Sequence, residues 1–352
     1  MNKFAPIMIP TLSRYEHLVE CIASLKQNKW AKETELYISL DAPPSPKYEE
    51  GHKKIYEYLQ NGIDGFKECH FFYQEENLGV MGNPFFLGAE ISKKHDRYIF
   101  TEDDNVFAPC FLDYINKGLD LFENDERISF VCGYSTPNSI DFSESNVGKI
   151  AVLRPWGYGT WINKEAELHK KICRSQFKEW ILNKDTFFYL YKENYDRCRD
   201  MFEAYMGGKD DISKETLVFE YDGDISPMEF TYGVVMAIEN KYSVIPGRSF
   251  NMVRNCGYDG SGANGITVEA FEHKKQDILA EEEFNFECDV NNLPMGCLDV
   301  QRRKKRDWKT KRARVLRVVL MLFGRKFTRK LMNLDFKISH NFWRLRNKLK
   351  NS

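Results

Sequence analysis

The sequence predicts an α/β fold in which a mostly parallel sheet is flanked by helices and followed by a basic, amphipathic helical tail. Three observations predict it. Short apolar runs alternate with amphipathic helical stretches through the first hundred residues. Polar residues follow directly after those runs, where right-handed crossovers place all the strand C-terminal ends on one edge of a parallel sheet. Charge is also segregated: residues 302–352 carry 19 Lys and Arg against Asp307 and Asp335, a net of +17, while the residues before them sum to −18.

The elements follow in order. Ala5–Ile9 is a short apolar run, and a helical pattern after it sets Leu18, Ile22 and Leu25 on one face. Leu36–Leu40 is a second strand, ending at Asp41 before Pro43, Pro44 and Pro46. Lys53–Leu59 reads as helix and His70–Tyr73 as strand, followed by a loop with Gly79 and Gly82. Asn83 and Pro84 then read as the N-cap and first turn of another helix. Arg97–Thr101 is a further strand, stopped by Glu102, Asp103 and Asp104. Beyond residue 150 the pattern loosens: residues 164–206 read as charged helices, Ile225–Asn240 as helix and Tyr242–Ile245 as strand, before the glycine-rich loop Asn255–Gly265. There is no internal repeat.

Composition narrows the class. A chain of 352 residues fits one large domain or two ordinary ones, and 42% hydrophobic with 29% charged residues suffices for a core and excludes a disordered chain. The domain boundary falls near 300: a globular domain over 1–300, with halves 1–150 and 151–300, and a tail over 301–352. Nine cysteines, an odd number with none in a CxxC pair, argue against a disulfide framework or zinc ribbon and fit a reducing, cytoplasmic compartment. Phe4–Ile9 is too short for the apolar core of a signal peptide, and Val315–Phe323 is interrupted by Arg317 and too short to span a bilayer.

The strongest local signal is the acidic triplet Glu102-Asp103-Asp104 after an apolar strand. Adjacent carboxylates repel unless a cation offsets them, and hard oxygen ligands suit Mn²⁺ or Mg²⁺ beside a phosphate-bearing substrate. The alternative is an acidic turn that caps the next helix.

Strand, acidic triplet and Ala108-Pro109-Cys110-Phe111 resemble the metal motif of GT-A glycosyltransferases, in particular bacterial family 2-like enzymes and the N-acetylglucosaminyltransferase I group. Ala5–Arg14 resembles the first strand and nucleotide loop of that fold. Asn77-Leu78-Gly79 with Gly82-Asn83 resembles the next donor-binding segment. Leu153–Trp161 is similar to the WGxxTW segment of the bacterial group, and Asn251–Asn264 to its NxGxDGSGTH loop. The likeness spans about residues 4–265, with five segments in the same order.

The resemblance implies a nucleotide-sugar donor and a divalent metal, Mn²⁺ or Mg²⁺, held by Asp104. It places Pro10, Thr11, Arg14, Asn77, Gly79, Asn83, Glu102 and Asp103 around the donor, and Asp41 on the nucleobase edge, where a turn-initiating role before Pro43 is the alternative. Asn83 as N-cap and Gly79 as a purely conformational glycine are likewise open. Trp156, Gly157 and Trp161 fall to the acceptor side, with ordinary core packing as the other reading of the tryptophans. An inverting transferase also needs a base for the acceptor hydroxyl. The family places an acid at a helix start, matched here by Glu229 in Met228-Glu229-Phe-Thr-Tyr232, with Asp224 and Asp222 as neighbours able to serve; acidic enrichment of a first helical turn is the bland account. Met228 and Tyr232 stand where relatives have tryptophan, and Ala263-Asn264 where they have Thr-His.

The resemblance and the tail together imply a metal-dependent, inverting glycosyltransferase that extends a glycan or lipid-linked acceptor in bacterial surface polysaccharide synthesis. A nucleotidyltransferase shares the sheet architecture but needs a glycine-rich loop after the first strand, which Pro10–Arg14 lacks. A catalytically inactive glycosyltransferase-like scaffold is the other rival. In the tail, Val315, Leu316 and Val318–Phe323 interleave with Arg314 and Arg317, as do Phe336, Ile338, Phe342 and Trp343 with Lys337, Arg344 and Arg346. That mixture fits helices lying on the anionic inner face of a membrane better than a nucleic-acid-tracking segment, which needs no apolar row. Packing of the tail on the acidic globule is the remaining alternative.

Overall fold

The computed structural model describes residues 4–135, 146–193, 195–206, 220–221, 224–225, 228–257, 278, 286, 289–295 and 313–332. They form an α/β protein with two compact units, one from within Met1–Leu168 and Asn240–Val300, the other from within His169–Glu239 and Gln301–Ser352.

The first unit is built on a sheet whose strands are β1 (Ile7–Thr11), β2 (Glu35–Leu40), β3 (Glu68–Tyr73), β4 (Arg97–Phe100), β6 (Ile128–Cys132), β7 (Val147–Ile150), β8 (Tyr158–Trp161) and β11 (Tyr242–Pro246). A short ribbon beside it pairs β5 (Asn105–Phe107) antiparallel with β12 (Val253–Asn255). The sheet order is β3-β2-β1-β4-β8-β6-β11-β7. Pairing is parallel from β3 to β4 and between β6 and β11, and antiparallel where β8 lies between β4 and β6 and where β7 closes the edge. The parallel half is the strand–helix alternation of the sequence: α1 (Tyr15–Lys26), α2 (Glu49–Gln60) and α3 (Gly79–Ser92) are its crossovers.

Helical faces match their periodicity. Leu18, Ile22 and Leu25 of α1 are fully buried, as are Ile55 and Leu59 of α2. They join Ile7, Ile9, Leu36, Ile38 and Ile99 in one core. α4 (Phe111–Leu121) adds Phe111, Leu112, Ile115 and Leu119 to it. Among the described residues every cysteine is free.

One helix begins elsewhere than expected. α3 starts at Gly79, not Asn83, and encloses Pro84. Its first amide groups are satisfied from a distant strand end: the Asp41 carboxylate accepts the backbone N–H of Leu78 and of Gly79, each at 2.8 Å. A carboxylate at the positive end of a helix is a favourable cap. Asn83, freed from capping, is 3% exposed and donates through Nδ2 to the Ser39 carbonyl at 3.1 Å.

The second unit holds α6 (Arg174–Leu182), α7 (Lys184–Glu193), α8 (Tyr195–Met206), α9 (Met228–Ile238), the two-residue strands β9 (Glu220–Tyr221) and β10 (Asp224–Ile225), and α10 (residues 313–332). The described part of the tail is a helix grouped with this unit. Arg317 donates to the carbonyls of Ile181 and Leu182 at 2.8 Å each, and Arg325 to those of Tyr205 and Met206 at 3.1 and 3.3 Å. These are the last carbonyls of α6 and α8, which a helix leaves without internal partners and which carry its negative dipole end.

Trp161 and Lys164 close the end of α4. α5 (Ile162–Lys171) follows β8 and turns Lys164 inward, where Nζ donates to the carbonyls of Phe122 and Asp125 at 2.8 Å and of Ile128 at 3.1 Å. The same ammonium sits 3.8 Å from the Trp161 ring centroid. Lys164→Met keeps the stem and orphans three buried carbonyls, so urea unfolding should show a loss of about 2–4 kcal/mol.

Candidate active site

The C-terminal ends of β1, β2 and β4 bring the polar residues together. Thr11 ends β1 and Arg14 precedes α1, Asp41 follows β2, and Glu102–Asp104 form the turn between β4 and β5. This edge is tied laterally: the Asp41 amide donates to the Thr11 carbonyl at 2.9 Å, and the Thr101 amide to that of Met8 at 3.1 Å.

Asp103 and Asp104 are 3% and 6% exposed. The guanidinium of Arg14 bridges them, Nη2 donating to Asp103 Oδ1 and Nη1 to Asp104 Oδ2. The remaining oxygens are also engaged, Asp103 Oδ2 by Thr11 Oγ1 and Asp104 Oδ1 by Asn255 Nδ2, both at 2.7 Å. Burial pushes the Asp103 carboxyl above its ordinary range, and Arg14 pulls against that shift. Glu102 is more open, and its carbonyl accepts the Thr101 hydroxyl at 2.8 Å.

Asn255 and Gly257 belong to the site although the sequence singled out neither. β12 pairs with β5 so that Asn255 lies opposite Asn105, and the Cys256 amide donates to the Asp104 carbonyl at 2.7 Å. A Cβ at Gly257 would stand 2.0 Å from Asp104 Oδ2, so only glycine lets the backbone pass this close to the acid. The signals were the glycine-rich loop Asn255–Gly265 and the resembling segment Asn251–Asn264; the Asn251 side chain itself serves the fold, accepting the Ser135 amide at 3.0 Å.

Asp41 anchors the Asn77–Gly79 turn. Besides the two backbone bonds that start α3, its Oδ2 accepts Asn77 Nδ2 at 3.1 Å, while Asn77 Nδ2 also reaches the Ala42 carbonyl at 2.6 Å. Gly79 has φ of 73°. Pro10 sits within β1 opposite Ser39.

The two tryptophans of Leu153–Trp161 separate. β8 runs antiparallel to β4, with Tyr158 opposite Phe100 and Trp161 opposite Arg97. Trp156 and Gly157 therefore lie toward the acidic edge, Trp156 half-buried with its ring 4.4 Å from that of Tyr134. Gly157 has φ of 73°, and a Cβ there would come within 2.7 Å of Phe107. Trp161 ends β8 beside the start of β4 and is 3% exposed in the core, so the acceptor-side expectation for it is corrected to packing.

Glu229 is the second residue of α9, at a helix start as expected, and Asp224 lies in β10. Tyr232 is fully buried and hydrogen-bonded to His169 Nε2 at 2.5 Å. Asp222, Ala263 and Asn264 lie outside the described residues.

The chemistry of Asp103 and Asp104, hard oxygen donors at a sheet edge, fits Mg²⁺ or Mn²⁺. Asp104 is the residue that would hold the ion, on condition that Arg14 releases its Oδ2. Arg14 meanwhile keeps a permanent positive charge at this edge, able to meet an anionic substrate group.

No family model matches this chain, and no curated protein matches it by sequence. Among solved structures it is similar to TarS from S. aureus, at 14% identity and a TM-score of 0.31, over 44% of this chain and 28% of that one. It is similar to TarS 1-349 from the same organism at 14% and 0.31, over 48% and 49%. A third is the mannosyltransferase PcManGT from Pyrobaculum calidifontis in complex with GDP-Man and Mn²⁺, at 9% and 0.34, over 68% and 70%. The chain thus spans less than half the length of either TarS structure.

Proposed function

We propose that this chain is a glycosyltransferase of the GT-A type, moving a sugar from a nucleotide-sugar donor to a glycan or lipid-linked acceptor. The observation that carries the reading is the Arg14-bridged pair Asp103–Asp104 at the C-terminal edge of the parallel strands, beside a turn held by Asp41. Such an edge is where an α/β sheet binds its ligand, and a pyrophosphate leaving group needs positive charge there. Arg14 supplies a fixed part of it. A divalent ion on Asp104, when bound, supplies Lewis-acid stabilisation of the departing diphosphate. Thr11 and Asn255 keep the two carboxylates oriented, and Asp41 with Asn77 and Gly79 shapes the nucleoside side. Trp156 offers an aromatic face to the acceptor side.

The reaction is an inverting displacement. Glu229 takes the acceptor hydroxyl proton, the acceptor oxygen bonds to the anomeric carbon, and the bond from that carbon to the diphosphate breaks. The nucleoside diphosphate leaves with both electrons. Asp224 is the alternative base, on the short strand just before α9.

The acceptor pathway is bacterial surface polysaccharide synthesis on the cytoplasmic face of the membrane. Support comes from α10, whose Val315, Val318, Met321, Leu322 and Phe323 are 52–69% exposed beside the basic residues Lys326 and Lys330. Apolar and basic side chains mixed on one exposed helix suit an anionic interface. Among the described residues no helix is long and apolar enough to cross a membrane.

Three experiments test these assignments. Asp104→Ala should abolish Mn²⁺-dependent donor binding and transfer with an unchanged circular dichroism spectrum, losing at least ~3 kcal/mol of transition-state stabilisation; near-normal turnover in EDTA would overturn the metal assignment. Glu229→Gln should slow transfer by roughly 10²–10⁴-fold at unchanged donor affinity, whereas an unaltered rate with a loss in Asp224→Asn moves the base to Asp224. The combined variant Val318→Ser, Leu322→Ser, Phe323→Ser alters exposed positions only. It should float poorly with anionic liposomes relative to the parent chain; equal flotation removes the membrane assignment.

A further inference from the structure

The opposite edge of the sheet holds a second polar cluster, distinct from the acidic edge by the full length of β2, on the order of 15–20 Å. Strands β2 and β3 start side by side, with Glu35 opposite Glu68 and Tyr37 opposite His70. Residues two apart share a face of a strand, so both carboxylates, the phenol and the imidazole project from the same face. His95, from the connection between α3 and β4, reaches the same place.

Distances among these groups are short. His70 Nε2 lies 3.3 Å from Glu35 Oε2 and 3.7 Å from Glu68 Oε2. His95 Nε2 and Tyr37 Oη each lie 3.2 Å from Glu35 Oε2. The Tyr37 and His70 rings stack at 4.2 Å, which fixes the imidazole plane. The side chains of Glu35, His70 and His95 are 12–16% exposed, and Glu68, at 61%, forms the open side. Two carboxylates directly opposite across a strand pair repel. Lys67 offsets part of this, donating to the other Glu35 oxygen at 2.8 Å.

We propose that Glu35, Glu68 and His70 bind a divalent ion of the zinc class. One ligand atom from each of the three lies within 4.8 Å of the others. Tetrahedral Zn²⁺ with ligands at 2.0–2.2 Å sets those ligands roughly 3.4 Å apart, close to the 3.3 and 3.7 Å already present. One imidazole and two carboxylates form a ligand set suited to zinc, with a fourth position open to water. His95 and Tyr37 stay hydrogen-bonded to Glu35 and orient it, as outer partners of a ligating carboxylate do. The ion links β2 to β3, which is the outermost strand on its side of the sheet, so it stabilises a sheet margin and takes no part in transfer.

The test uses the untagged full chain, stripped with a chelator and dialysed against micromolar ZnCl₂. Wild type and Asp104→Asn should each retain one Zn²⁺ from this site, while His70→Ala and Glu68→Gln weaken that binding at least about tenfold. Zn²⁺ should raise the melting temperature of wild type and of Asp104→Asn but not of His70→Ala. Because Glu68 is largely exposed, Glu68→Gln decides the matter if His70→Ala fails to fold. Retention by Glu68→Gln and His70→Ala equal to wild type, absence of binding by wild type, or loss of the ion in Asp104→Asn alone would each overturn the proposal. The last outcome would move the ion to the acidic edge and leave the transferase reading standing.

Discussion

Two neighbouring carboxylates withdrawn from water repel each other and lose hydration at once, and they persist only where positive charge and donors meet every oxygen. Arg14 does this for Asp103 and Asp104 with one planar group, and Thr11 and Asn255 complete the set. The three partners come from the end of β1, the start of α1 and β12, so the acids join segments that lie far apart in the chain. Removing one member of such a buried network costs about 3–5 kcal/mol, because the rest are left uncompensated. Much of the edge geometry follows from this clamp: the β5–β12 ribbon is drawn beside the acids, and Gly257 is required where the backbone passes them.

The parallel half of the sheet was legible because its strands are short apolar runs and its helices keep a clean face, as Leu18, Ile22 and Leu25 show. The strand-end positions of Thr11, Asp41 and Asp104 followed from the same pattern. Less legible were β5, β8 and β12, of three or four residues each, whose extended form is set by their partners and not by their own composition. The start of α3 was hidden for another reason. Its capping carboxylate, Asp41, lies nearly forty residues upstream, beyond the reach of any local capping pattern. Trp156 and Trp161 looked like one motif with one purpose, but the antiparallel course of β8 carries them to opposite ends of the sheet. Asn255 was visible only as part of a glycine-rich segment, since its link to Asp104 depends on the strand pairing.

The tail illustrates a different limit. Its amphipathic, basic character is plain in the sequence, and residues 313–332 are indeed helical. What composition leaves open is where each arginine goes. Arg317 and Arg325 occupy the carbonyl ends of α6 and α8, and Arg314 and Arg317 stack over Phe188 and Phe187, at 5.7 and 5.2 Å.

That arrangement changes the physics of any attachment through α10. Arginines committed to backbone carbonyls and aromatic rings contribute little to a diffuse electrostatic pull on lipid headgroups, which ions in solution screen within about 8 Å. Insertion of apolar side chains is not screened in that way. A helix held to its own unit by arginines, with Val318, Leu322 and Phe323 outward, would therefore stay attached at ionic strengths that release a purely polybasic segment. The same arginines set the angular position of the helix, so the side chains turned outward are selected by the packing beneath them.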